Sequence, residues 1–155
     1  MRSLSPSRWL FRIGIILIFA QNFFGGSVFG RTVKPKYTLQ IEDRPNERRF
    51  LLTLTSLDSR VLCIPVEKWP NIYGQLHFGA SWARLESGGA TYNARDNNFG
   101  YCIDKNGGPC LIRLEPGANL KGFIGYAEFG AVSRIGALKT RRLIFPVITW
   151  VCGSK

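Results

Sequence analysis

From Tyr37 onward apolar and polar residues alternate, with Tyr37, Leu39 and Ile41 interleaved with Thr38, Gln40 and Glu42. A period of two turns one set toward a core and the other toward solvent, so this segment predicts a half-buried strand. Arg44-Pro45-Asn46-Glu47 breaks it, and Phe50-Leu51-Leu52-Thr53-Leu54-Thr55 predicts a second strand. The polar run Ser56-Leu57-Asp58-Ser59-Arg60 reads as a turn before Val61-Leu62-Cys63-Ile64-Pro65 resumes an apolar pattern. Pro65 and Pro70 limit regular pairing there. Leu76 to Glu86 is mixed, with Trp82, Ala83 and Leu85 as core candidates, and Ser87-Gly88-Gly89 signals a turn before Thr91 and Tyr92.

The stretch from Asn93 to Pro109 is dense in Asn, Asp and Gly and predicts a long loop. Cys110-Leu111-Ile112-Arg113-Leu114 then predicts a strand, Glu115-Pro116-Gly117-Ala118 a turn, and Leu120 to Phe129 a further strand. Arg142 to Val151 predicts the closing strand, in which Pro146 suits an edge or a bulge. No window after residue 31 carries a sustained helical stripe. Roughly six to eight short strands separated by turns predict an all-β domain, a small β-sandwich with a small β-barrel as the alternative. No internal repeat or linker divides it.

The first 30 residues follow another pattern. Arg2, Arg8 and Arg12 precede the apolar run Ile13 to Ala20, and Gly25, Gly26, Ser27 and Gly30 follow. Basic, apolar and small-residue segments in that order predict a signal peptide over residues 1–30, leaving residues 31–155 as the folded domain. The 20 residues from Leu10 to Phe29 are also long enough for an uncleaved signal anchor, although Arg12, Gln21 and Asn22 interrupt them. A buried core helix fits least, because glycines follow where its pattern should continue. The expected location is outside the cytoplasm, periplasmic or secreted, with contact to a membrane only through an uncleaved leader.

Export changes the meaning of the cysteines. Cys63, Cys102, Cys110 and Cys152 are an even set downstream of the leader, which favours two disulfides over free thiols. Three connectivities are open. Cys102 and Cys110 flank Ile103-Asp104-Lys105-Asn106-Gly107-Gly108-Pro109, a turn-forming run that can bring two Cα atoms within bridging distance, which leaves Cys63 for Cys152. Four-cysteine zinc sites use close C-x-x-C pairs, absent here, so neither a metal nor another cofactor is expected.

The 155 residues carry 21 Lys and Arg against 10 Asp and Glu, a net +11. Removing residues 1–30 takes away three Arg and no acid, so 18 basic and 10 acidic side chains remain, a net +8. With export setting nucleic acid aside, the basic excess points to an anionic envelope surface or an acidic protein. Arg44, Arg48 and Arg49 near the start and Lys139, Arg141 and Arg142 before the last strand are the candidate contacts, should the fold bring them to one end.

Two segments resemble bacterial exported immunoglobulin-like domains. Phe50 to Leu62 is similar to their strand, polar turn and strand, with Ser56 where that group more often has Asn. Leu114-Glu115-Pro116-Gly117 before Leu120-Lys121-Gly122-Phe123 resembles the L-x-P-G turn ahead of a late strand. The resemblance spans roughly residues 37–151 and implies a sandwich used for binding or scaffolding, with no catalytic residues to carry over.

Catalytic chemistry has little to build on. His77 is the single histidine, and no nucleophile motif, P-loop or H-E-x-x-H accompanies it. The carboxylates are scattered among turns rather than paired across a cleft, and the Asp96 and Asp104 runs lack the closing Glu of a calcium loop. The chain is therefore expected to be a non-catalytic exported binding or accessory domain of the cell envelope. The alternative is an exported inhibitor or immunity-type protein that occludes a partner with the Cys102 to Cys110 loop, whose constraint lowers the entropy lost on binding.

Overall fold

Strand β1 (Tyr37–Arg44) alternates half-buried and exposed positions along its whole length, as the period of two requires. A 3₁₀ turn at Pro45–Glu47 ends it, and Arg48 takes the left-handed conformation (φ 54°) while its N–H donates to the Pro45 carbonyl at 3.1 Å. The chain returns as β2 (Arg49–Ser56), whose Phe50, Leu52, Leu54 and Ser56 are all buried. This is a computed structural model of the chain, and it describes residues 34–77, 80–99 and 102–153. All of these belong to one compact unit, Thr32–Lys155. The leader expected over residues 1–30 lies outside the described residues, as do Phe78 and Tyr101.

Seven further strands follow: β3 (Leu62–Pro65), β4 (Arg84–Ser87), β5 (Ala90–Asn93), β6 (Leu111–Leu114), β7 (Asn119–Gly125), β8 (Arg142–Ile144) and β9 (Trp150–Val151). They pair, all antiparallel, as three three-stranded sheets in the orders β1-β2-β7, β6-β3-β9 and β5-β4-β8. The domain is all-β and carries two disulfides. The inner faces meet in one apolar cluster to which β2, β3, β4 and β7 contribute fully buried residues. β3 is buried at all four positions, so it reads as a continuous apolar run rather than an alternating one. The β4–β5 hairpin closes through Gly88 (φ 54°) and Gly89 (φ 81°), the two successive positive values that a tight hairpin turn needs.

Two segments depart from the pattern read along the chain. The strand expected from Leu120 to Phe129 stops at Gly125, and Tyr126–Phe129 forms a 3₁₀ turn followed by a single helical turn, α1 (Val132–Gly136). Tyr126 N–H donates to the Arg48 carbonyl (2.9 Å), and its hydroxyl donates to Asp43, so the chain is drawn across the β1–β2 turn instead of continuing the sheet. The closing strand expected from Arg142 to Val151 is two strands in different sheets. Irregular backbone at residues 145–149, with Pro146 within it, carries the chain from β8 to β9.

Both disulfides have the expected connectivity. Cys63 and Cys152 have Cα atoms 5.1 Å apart across 89 residues of sequence, and Cys102 and Cys110 lie 5.3 Å apart across eight. No helix among the described residues is long and apolar enough to cross a membrane.

Candidate functional site beside the short disulfide loop

The Cys102–Cys110 segment is a miniature hairpin. Cys110 N–H donates to the Cys102 carbonyl (3.1 Å), Ile103 bridges Pro109, and Asp104 N–H donates to the Gly108 carbonyl (2.7 Å). The Asp104 carboxylate accepts from the N–H groups of Asn106 (2.8 Å) and Gly108 (2.9 Å), an Asx turn that spends its charge inside the loop. With the disulfide at its base and these bonds across it, the loop holds its shape without help from the core. Ile103 projects from it, 68% exposed.

Opposite stands the segment after β3. A 3₁₀ turn at Val66–Lys68 leads to buried Trp69 and Pro70, and Asn71 then organises the next four residues. Its side-chain oxygen accepts from Tyr73 N–H (2.9 Å) and Gln75 N–H (3.0 Å), while its carbonyl accepts from Gly74 N–H (3.0 Å). That turn places Ile72 and Tyr73 at its tip, 81% and 73% exposed. Large apolar residues at the tip of a tight turn give up burial that the core would reward by about 1.5–3 kcal/mol each.

Between the two walls lies a groove of about 390 Å³, lined by Val66, Trp69, Ile72, Phe99 and Ile112, with Cys102 from the disulfide loop and with Glu67, Asn71, Gln75 and His77 as its polar members. Its size falls at the lower end of ligand-sized clefts, about 300–1,000 Å³, and its apolar lining with a few polar groups is typical of them. His77 is half-buried with its ring 6.2 Å from that of Phe99. Trp69 forms the inner wall. Its indole lies against Gly122 of β7, where a Cβ would stand 2.8 Å from Nε1, so only glycine lets the ring reach that depth.

Behind the groove Glu128 is buried, and among the described residues its hydrogen-bond donors are uncharged: Leu76 N–H (3.0 Å) and the Asn97 side-chain amide (2.6 Å), both on one carboxylate oxygen. Burial raises its pKa above the ordinary value, partly offset by those two bonds and by the charge of Arg95. Asn97 also donates to the Leu76 carbonyl (2.9 Å) and bridges His77, so this buried network fixes the segments that carry His77 and Phe99.

The six candidate cations fall into two sets. Arg141 donates to Asp43 (2.8 Å) and to the carbonyls of Gly136 and Leu138, and lies over the Tyr126 ring, which makes it a structural strap. Burial, with the hydrogen bond to Asp43, pushes the Tyr126 hydroxyl in that strap up to about 12. Arg44 pairs with Glu42 (2.9 Å), and Arg49 pairs with Glu47 while lying over Phe123. Arg48 and Lys139 are exposed without an ion pair among the described residues, and Arg142 faces Glu86 across β8 and β4 at 3.9 Å. The strap does bring residues 141–142 beside the start of β2, where they share a shallow pocket with Asp43 and Phe50.

Sequence reading found the disulfide loop but not the groove. The missed signal is Asn71-Ile72-Tyr73-Gly74, an Asn-x-x-Gly turn whose central residues look like core. No group of three or more His, Cys, Asp or Glu able to hold a metal occurs among the described residues. Compared with known family models and with curated proteins, the chain matches none.

Proposed function

We propose that the chain is a non-catalytic exported binding domain, built on an immunoglobulin-like sandwich, that engages a protein partner through the groove beside the Cys102–Cys110 loop. The observation that carries this reading is the pairing of a self-supporting disulfide loop with an apolar groove lined by Cys102 of that loop and by Ile72, with exposed Ile103 and Tyr73 next to them in the chain. Exposed aromatic and aliphatic groups around a depression are what an interface core is made from, and a loop already fixed loses little entropy when covered. Glu67 lines the groove and has no ion pair among the described residues, so the occupant is an apolar segment of a protein carrying a basic side chain. Two disulfides suit an oxidising compartment, and the leader pattern supports delivery there.

A second reading rests on the exposed cations Arg48, Lys139 and Arg142, which suit an anionic envelope surface or an acidic protein. Affinity capture from an envelope extract separates the two. Stoichiometric capture of one protein that resists salt and is lost in Ile72→Asp and Ile103→Asp supports the groove. Salt-sensitive binding to wall polymer or anionic vesicles, lost in an Arg48→Ala/Arg142→Ala variant and kept in Ile72→Asp, replaces it with the second reading. Purified protein that turns over a substrate would overturn both.

A further inference from the structure

The longest strand edge in the domain belongs to β1, and its open side has a definite chemistry. Leu57 N–H donates to the Lys36 carbonyl (2.9 Å), so residue 36 directs its backbone toward β2. Backbone groups alternate sides along a strand, and β1 pairs with β2 in unbroken register from Tyr37 opposite Ser56 to Arg44 opposite Arg49. The N–H and C=O groups of Tyr37, Leu39, Ile41 and Asp43 therefore point away from β2, to the side where no strand pairs among the described residues. The side chains of Tyr37, Leu39 and Ile41 face the core yet are only half-buried. β1 has no internal proline and no break in register, the usual devices that blunt an edge. Elsewhere the edges are shorter or met: β7 donates its Gly125 N–H to the Gly74 carbonyl (3.1 Å), and the outer strands of the other two sheets have four residues or fewer.

We propose that β1 pairs antiparallel with β1 of a second copy of this chain, centred on Leu39 opposite Leu39. The segment Lys36 to Glu42 is self-complementary about that point. Tyr37 meets Ile41 of the second copy, Thr38 meets Gln40, and Lys36 meets Glu42. Every facing pair of odd-numbered residues then uses outward backbone groups on both strands, and the half-buried apolar row is covered by its own mirror. The neighbouring registers fit worse. Centring on Gln40 gives up the Lys36–Glu42 pairs, setting Glu42 opposite Thr38 and the Asp43 carboxylate opposite Tyr37, and centring on Ile41 sets that carboxylate against Leu39. The Leu39 centre sets like charges opposite each other at Arg44 and Lys34, beyond the ends of the self-complementary segment. A foreign strand would have to reproduce this charge and apolar order, whereas the second copy carries it already. Joining the two sheets gives one six-stranded sheet and removes the open edge of both molecules.

The test is sedimentation equilibrium on protein purified from cells expressing the full chain, over roughly 10 µM to 1 mM. Dimerisation is expected, weakened about tenfold or more by Lys36→Glu or by Glu42→Lys, since each change sets like charges opposite one another at both ends of the pairing. Combining Lys36→Glu with Glu42→Lys restores opposite charges and should bring the dissociation constant back to within about threefold of the parent. Both side chains are exposed, and circular dichroism checks that each variant folds. A protein that stays monomeric throughout overturns the proposal, and so does a dimer indifferent to the single changes or one that the double change fails to restore.

Discussion

Burial of Glu128, with no cation among the described residues hydrogen-bonded to its carboxylate, holds its proton more tightly in the folded chain than in the unfolded one. The sign of its linkage follows. From the ordinary carboxylate pKa upward through the raised folded value, the folded state binds more protons than the unfolded state, and stability falls as pH rises through that window. Glu128→Gln keeps an oxygen where both Leu76 N–H and the Asn97 amide donate and removes the charge. Urea midpoints between pH 4 and pH 8 should show the variant gaining on the parent as pH rises, and a parallel pair of profiles would reject this account. Asp58 works in the opposite direction. It is buried, accepts two hydrogen bonds from the Arg60 side chain (2.8 and 2.9 Å) and one each from the N–H groups of Lys36 and Arg60, and its pKa is held well below the ordinary range. Its stabilisation is present above the ordinary Asp pKa and is lost as pH falls toward the depressed folded value. Asp58→Asn should therefore cost stability at pH 7 and cost less as the pH is lowered through that range, in urea midpoints carried below pH 4. At Gly122 the issue is space alone: Gly122→Ala forces Trp69 outward and should cost about 1–3 kcal/mol in a urea melt.

Elements were legible where a single local rule decided them. The alternation in β1 and β2 and the paired glycines of the β4–β5 turn are such cases, because period and positive φ are properties of the segment itself. The end of β7 was not. Phe123, Ile124, Tyr126 and Phe129 continue an apolar run, and a short apolar run does not distinguish strand from 3₁₀ turn. What ends the strand is the Arg48 carbonyl and the Asp43 carboxylate, partners nearly 80 residues or more away in sequence. Tyr126→Phe tests that explanation. It keeps the ring against Phe50 (5.2 Å) and removes the hydroxyl, leaving Asp43 to Arg141 alone. A loss of about 1–2 kcal/mol is expected, with faster amide exchange across residues 126–129. The groove divides the same way. Its disulfide wall follows from cysteine spacing and turn residues, whereas nothing about the apolar Ile72 and Tyr73 marks them as exposed, and it is the Asn71 side chain that turns them outward.

Over the whole molecule, charge and cross-links do separate jobs. Glu42, Asp43, Glu47, Asp58 and Glu86 all hold arginines, so much of the acidic complement is spent within the fold and the basic excess is left to the surface. The two disulfides differ in what they secure. The Cys102–Cys110 loop is already closed by the Ile103–Pro109 bridge and the Asp104 turn, so its disulfide mainly preserves the shape of one groove wall. Cys63 sits within β3 at the centre of its sheet, and its partner Cys152 follows β9, a strand of only two residues. Besides the disulfide, this segment is held by its pairing with β3, by the Cys152 N–H donated to the Val61 carbonyl (2.9 Å) and by the Thr149 hydroxyl donated to the Cys63 carbonyl (3.0 Å). Closing a loop of that length restricts the unfolded chain by roughly 4 kcal/mol in the entropy model. Cys63→Ala/Cys152→Ala should lower the urea midpoint well below that of Cys102→Ala/Cys110→Ala and raise amide exchange in β9 and the adjoining β3. The short-loop variant should keep global stability nearer the parent while losing affinity for a groove-bound partner. The reverse order of stabilities would mean that the long bridge spans residues already close in the unfolded chain, and that pairing with β3 and packing of Val151 and the half-buried Trp150 dock the C-terminal strand without the bridge.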